Sequence, residues 1–325
     1  MKRRQFMAWL GAAAAWPLAA RTQSIGLRPR IGLLLATSAD GTAAALTAFR
    51  QGLTEKGFNP DKDVELRAHD ARSAAGIARS AAELAEWPAS VLIGSSLPEV
   101  LALKRAAPRT PIVMVAVGDP VATRLADSLE RPGGLVTGLS DFRPDYAEAR
   151  LRLVIELIPG ARRIAFLHNP DAPTSALTFE AASRLGRDII PLAVRTPAEI
   201  RAALASATDV EIDAVLAAPF PATFQERRTI GEWAAARRLP VVFGYSDFMD
   251  LPGEIAGIAA FGSDLLDLYR RAAGYAAAIL RGALPAELAI ERPEKGDLVI
   301  DLAAARRLGL TVPEHLARRA DRIIQ

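Results

Sequence analysis

The sequence predicts an α/β protein built as two doubly wound lobes with a hinge of crossing segments. Three observations predict it. Short, nearly all-apolar runs alternate with longer amphipathic segments, the pattern of parallel strands covered on both faces by crossover helices. The alternation runs through residues 29–140 and then starts again through 141–258, as a repeat of architecture without residue-level similarity. Residues 259–325 break the pattern and read as crossing segments and a tail that complete both lobes.

In the first half, strands are expected at Ile31–Ala36, Val64–His69, Val91–Gly94, Ile112–Val117 and Val136–Leu139. Helices fit between them at Thr42–Lys56, Ser73–Glu86, Pro98–Ala106 and Val121–Leu129. In the second half, a helix at Asp145–Leu157 precedes strands at Arg163–His168, Ile189–Val194, Ala214–Ala218 and Val241–Tyr245. Helices are expected at Ser175–Leu185, Pro197–Ala205 and Thr223–Arg238. Thr196-Pro197-Ala198-Glu199 is a capping box with proline at the first helical position, and Ser96-Leu97-Pro98-Glu99 has the same form. Gly262-Ser263-Asp264 opens an amphipathic helix from Leu265 to Arg281, closed by Gly282. In the tail, short strands are expected at Leu288–Glu291 and Leu298–Asp301, and helices at Leu302–Leu308 and Pro313–Ile324.

Residues 1–22 read as an address rather than part of the fold. Lys2, Arg3 and Arg4 precede an uncharged apolar run from Phe6 to Ala20, a signal h-region too short to span a bilayer, which takes roughly twenty residues. Arg3-Arg4-Gln5-Phe6 is a twin-arginine pattern, so an exported, signal-cleaved, periplasmic protein is expected. Outside this segment the chain holds 36 basic against 37 acidic residues. That near-neutral balance, with no basic run interleaved with aromatics, argues against nucleic acid as a partner. The absence of cysteine excludes disulfides, thiol catalysis, zinc–thiolate sites and a lipid-acylated cysteine anchor. His69, His168 and His315 have no metal-ligand spacing, and neither a nucleophile elbow nor a phosphate-binding glycine loop occurs. No cofactor or metal is expected, and no catalytic residue is assigned.

Distinctive blocks occur at Pro111-Ile112-Val113 through Gly118-Asp119-Pro120-Val121, then at Leu129-Glu130-Arg131-Pro132-Gly133-Gly134 and Val136-Thr137-Gly138-Leu139-Ser140. Others are Asp267–Ala273, Leu298–Leu302 and Ala305–Pro313. In these blocks the chain resembles the periplasmic ABC transporter substrate-binding proteins. The resemblance spans essentially the whole chain and is most specific over Gly118–Ser140. It departs at Gly118, where members carry a polar residue, and at Asp301, where asparagine is common. It implies the type I periplasmic-binding-protein fold, with two Rossmann-like lobes, three crossings, and a small molecule gripped by hinge closure. Some members bind tryptophan or related amino acids. The resemblance also implies an inner-membrane ABC permease as partner, with the protein itself a monomer free of a membrane anchor.

Open α/β sheets bind ligands at the carboxyl ends of their strands, so the strand-to-helix loops supply the candidates. A zwitterion needs donors for its carboxylate and an anionic partner for its ammonium. Thr37, Ser38, Ser95, Ser96 and Asp119 fall in such loops of the first lobe, and Asn169, Phe220, Tyr245 and Asp247 in those of the second. Asp141 follows a crossing strand near the hinge. Ser96 reads also as a helix cap, Asp119 as a cap before Pro120, and Asn169 as a turn former. Asp247 is the preferred ammonium partner, and Phe220 and Tyr245 would face a flat apolar group, as would Phe142 and Tyr146 nearby. Two other readings share these features: an exported α/β enzyme acting on a small molecule, and a sensor that passes its ligand-bound form to a membrane kinase.

Overall fold

The computed structural model describes residues 28–37, 39–207, 210–249 and 257–325. The expected signal segment and Ser38 lie outside these residues. Lobe 1 contains β1 (Arg30–Leu35), α1 (Ala39–Glu55), β2 (Glu65–Asp70), α2 (Ala74–Glu86), β3 (Val91–Gly94), α3 (Leu97–Ala106), β4 (Ile112–Met114) and β5 (Val136–Gly138). Its strands are all parallel in the order β2-β1-β3-β4-β5. The winding direction reverses between β1 and β3, which opens a crevice beyond their carboxyl ends. Strand alternation sorts β1 between two cores. Ile31, Leu33 and Leu35 pack with Phe49 and Leu53 of α1, whereas Leu34 packs with Leu84 of α2 and Leu103 of α3.

Lobe 2 follows with α4 (Pro144–Leu157), β6 (Arg163–His168), α5 (Pro173–Arg184), β7 (Asp188–Ala193), α6 (Pro197–Ser206), β8 (Ala214–Ala217), α7 (Pro221–Gln225), α8 (Arg227–Ala236), β9 (Val241–Phe243) and β10 (Gly257–Gly262). The chain then returns to lobe 1 as α9 (Leu265–Leu280). It comes back to lobe 2 as β11 (Asp297–Asp301), α10 (Leu302–Arg307), α11 (Glu314–Arg319) and β12 (Arg322–Ile324). The second sheet runs β12-β11-β10-β9-β8-β6-β7; among the described residues the β10–β11 pair is antiparallel and the other pairs are parallel.

Among the described residues, three passages therefore cross the seam: β5 to α4, β10 to α9, and α9 to β11. The first and third run side by side. Glu291 N–H donates to Gly138 O at 3.0 Å, Ser140 N–H donates to Glu291 O at 2.9 Å, and the Arg143 guanidinium reaches Pro293 O at 3.1 Å. Gly138 enters this crossing with φ +127°, and a Cβ there would stand 2.3 Å from Met114 O, so no other residue fits the turn.

Several expected elements differ. The strand expected to reach Val117 ends at Met114, because Ala116 turns the backbone into the left-handed region at φ +51°. The helix expected at Val121–Leu129 is a series of turns, broken by Arg124 at φ +55°. The helix expected over Thr223–Arg238 divides into α7 and α8 at Glu226, whose carboxylate meets Arg201 and accepts from Thr229 Oγ at 2.8 Å. Leu288–Glu291 contributes a single bridge between Glu291 and Leu139 instead of a strand. The last expected helix stops at Arg319. Asp321 exchanges backbone and side-chain hydrogen bonds with Leu298, both 2.9 Å, and draws β12 onto β11. Strand β10 was not expected.

Candidate ligand site between the lobes

A cavity of about 360 Å³ lies at the seam, beyond the carboxyl ends of β1 and β3 on one side and β8 and β9 on the other. Lobe 1 supplies Ala36 and Thr37 after β1, Gly41, Ala44 and Ala45 of α1, and Ser95 and Ser96 after β3. Lobe 2 supplies Phe220 and Phe224 around α7, Arg227 of α8, and Tyr245 and Asp247 after β9. The first turn of α9 and Tyr269 complete the wall. Helices α1, α3 and α9 all begin here, so their amino-terminal dipole ends converge on one space.

The polar groups have distinct settings. Ser95 Oγ accepts from Ala36 N–H at 3.2 Å and is hydrogen-bonded to the Tyr269 phenol, so it braces the wall. Ser96 was expected to cap α3, but no side-chain cap bond forms; its hydroxyl instead meets the Glu99 carboxyl. Glu99 is fully buried, and desolvation pushes its carboxyl above the ordinary range against the opposing Ser96 hydrogen bond. The Thr37 hydroxyl is buried and has no hydrogen-bond partner among the described residues. Asp247 is half-buried; its Oδ2 accepts from Leu265 N–H at 2.6 Å, which ties the β9 loop to the start of α9. The Arg227 guanidinium donates to Phe224 O at 2.6 Å and lies 4.2 Å from the centre of that ring.

Behind the cavity, Tyr245 donates its phenolic hydrogen to Asp141 on the first crossing. Desolvation raises the Asp141 carboxyl to about 6, opposed by the Tyr245 hydrogen bond and the Arg150 charge. Arg150 is itself buried and donates to Phe261 O at 2.7 Å and Gly244 O at 2.9 Å, which fixes α4 to β9 and β10. Burial holds the Tyr245 and Tyr269 phenols protonated, well above the ordinary tyrosine range.

The structure thus brings together six sequence candidates in the cavity wall: Thr37, Ser95, Ser96, Phe220, Tyr245 and Asp247. Asp141 stands one residue removed, through Tyr245. Asp119 and Asn169 are outside the lining. Asp119 accepts from Val121 and Ala122 N–H, both 3.0 Å, and Asn169 accepts from Asp171 N–H at 3.0 Å. Each closes its own proline-containing turn, which short Asx side chains do readily. Phe142 and Tyr146 are also absent from the wall; Tyr146 packs edge-on against Phe261 at 5.1 Å. Sequence reasoning missed Tyr269, Phe224, Arg227 and Glu99. Tyr269 falls on the apolar stripe of α9 and reads as core. The Ser96-x-x-Glu99 spacing was visible, but it reads equally as a capping box.

Two parallel-sheet lobes, three crossings and a polar-rimmed cavity at the seam define a two-lobed solute-binding protein. The chain belongs to the ABC transporter substrate binding protein family, whose model matches residues 30–324. It is 27% identical over 167 residues to a tyrosine-binding protein of Clostridioides difficile, an alignment covering 50% of this chain and 48% of that one. Among solved structures it is similar to a conserved domain protein from Vibrio cholerae, at a TM-score of 0.82 and 26% identity, over 91% of this chain and 100% of that one. An ABC domain from Streptococcus pneumoniae in complex with L-Trp has the same fold, at a TM-score of 0.82 and 24% identity, over 92% of this chain and 100% of that one. Among the described residues, no helix is long and apolar enough to cross a membrane, and no cluster of metal-ligating side chains occurs.

Proposed function

We propose that the chain is the periplasmic solute receptor of an ABC importer, and that its solute is an L-amino acid with a flat apolar side chain. The cavity carries this reading. Its volume of about 360 Å³ is at the low end for small-molecule sites and suits one amino acid rather than a peptide. Lobe 1 presents Thr37, Ser96 and helix amino termini to a carboxylate, lobe 2 presents Asp247 to an ammonium, and Phe220, Phe224 and Tyr269 bound the apolar part. A ligand held by both walls favours the closed form, which then docks on a permease; no bond in the ligand is made or broken. The tyrosine-binding relative and the L-Trp complex support this class of solute.

Thermal-shift screening of the purified protein against amino acids, sugars, purines and aromatic acids tests the proposal. A native-state ligand at a hundred times its Kd should add about 2.7 kcal/mol of stability. Tryptophan, tyrosine or phenylalanine should give the largest shift. Asp247→Ala should weaken the hit by roughly ten- to a hundredfold, as expected when a charged hydrogen-bond partner is lost. A sugar or purine as the best ligand, or product formed from any ligand, would refute the reading.

A further inference from the structure

Glu99 sits in the first turn of α3, 0% exposed, and among the described residues its Oε1 has no hydrogen-bond partner. Its Oε2 meets the hydroxyl of Ser96, and Ser96 lines the cavity. As a carboxylate, this group would hold a charge away from water, offset only in part by the Ser96 hydroxyl and the backbone N–H groups of Ser96 and Glu99. As a neutral acid it fits its surroundings better. The proton on Oε2 donates to Ser96 Oγ, and Oε1 becomes a carbonyl oxygen whose missing partner costs little by comparison. The direction in which burial moves the group agrees. Among the described residues, the Tyr269 phenol of α9 interacts electrostatically with Glu99, and Asp247 with that same phenol.

We propose that Glu99 is a positioning residue for the ligand's carboxylate: as a neutral acid it donates to Ser96 Oγ and turns the Ser96 hydroxyl hydrogen into the cavity. This rests on the amino-acid reading of the site and assigns polarity within it. An ionised Glu99 would take the Ser96 hydrogen and leave only oxygen lone pairs facing the ligand, which suit an ammonium and repel a carboxylate. One buried proton therefore decides which end of a zwitterion the α3 side of the cavity reads.

The test uses L-tryptophan, L-tyrosine and L-phenylalanine and the carboxamide of each, titrated calorimetrically into wild type, E99Q, E99L and S96A, with circular dichroism checking each fold. Glutamine keeps a donor toward Ser96 and cannot ionise, so E99Q should bind the acids like wild type. E99L and S96A should each lose roughly ten- to a hundredfold for the acids and much less for the amides, because the lost bond is to a charged group. If E99L does not fold, E99Q still decides. A tenfold or greater change in its affinity for the acids, in either direction, overturns the proposal, as does E99L binding like wild type or losing acid and amide equally. If wild type binds none of these probes, the amino-acid reading falls and this assignment with it. If wild type binds but the variants lack the pattern, only the role of Glu99 falls.

Discussion

Asp141 carries an energetic conflict that a titration should expose. It is held among Tyr245, Arg150 and the crossing backbone, and burial raises its carboxyl from 3.8 to about 6. The folded protein thus binds this proton more tightly than the unfolded chain does. The group's contribution to stability is full below about pH 4 and is lost as pH rises through about 6, a change of about 2–3 kcal/mol. Asp141→Asn should flatten that part of the profile in urea denaturation followed across the acid range. An unchanged slope would mean that Asp141 is solvated enough to titrate normally. Tyr245→Phe removes the hydroxyl that donates to this carboxyl. Leaving a buried acceptor short of its donor should lower the unfolding free energy by about 1–3 kcal/mol, read from the urea midpoint at neutral pH.

At the scale of elements, the contact between α1 and α9 holds a returning segment of chain on lobe 1. Leu268, Tyr269, Ala272, Ala273 and Ala276 of α9 pack with Ala45, Phe49 and Leu53 of α1. Gly52 makes the approach possible, since a Cβ there would lie 1.9 Å from Arg270 O and 2.8 Å from Ala273 Cβ. Gly52→Ala should therefore force the helices apart and cost about 1–3 kcal/mol. Gly118→Ala is the matched comparison: its added Cβ meets nothing within 4 Å, and its stability should stay within about 0.5 kcal/mol of wild type. Equal melting temperatures for the two variants would show that the helix contact is looser than described. Such helices, and the buried strands β3 and β6, were legible in the sequence because periodicity and burial share one cause. Where tertiary contacts overrode local pattern, the sequence misled. Val121–Leu129 is apolar enough for a helix, yet Arg124 turns left-handed, and β12 exists because Asp321 is held by Leu298. The cavity loops were legible as strand ends, but which hydroxyl braces the wall and which faces the ligand depends on partners distant in sequence. Ser95 is pinned by Ala36 and Tyr269, a choice no local pattern encodes.

At the scale of the molecule, the two lobes touch beside the cavity. Gln225 of α7 donates its side-chain N–H to Ala36 O at 3.2 Å, and both lie at or beside the cavity wall. Such a neutral bond contributes about 0.5–1.5 kcal/mol to the closed arrangement. Gln225→Ala should accordingly weaken ligand binding about two- to tenfold, and lower the stability of the ligand-free protein by no more than that same amount. It should also enlarge the ligand-free radius of gyration in X-ray solution scattering, with addition of ligand restoring the smaller value. A variant that binds like wild type would mean that closure draws on ligand contacts alone.

Because α9 wraps back onto the lobe where the chain began, neither half of the protein is a continuous stretch of sequence. While the polypeptide is still being synthesised, the greasy side of α1 has only part of its cover, from β1, until the residues of α9 have left the ribosome. The second sheet likewise waits for β11 and β12 before it has its final edge. Prematurely terminated products should clump or be degraded rather than survive as a working half.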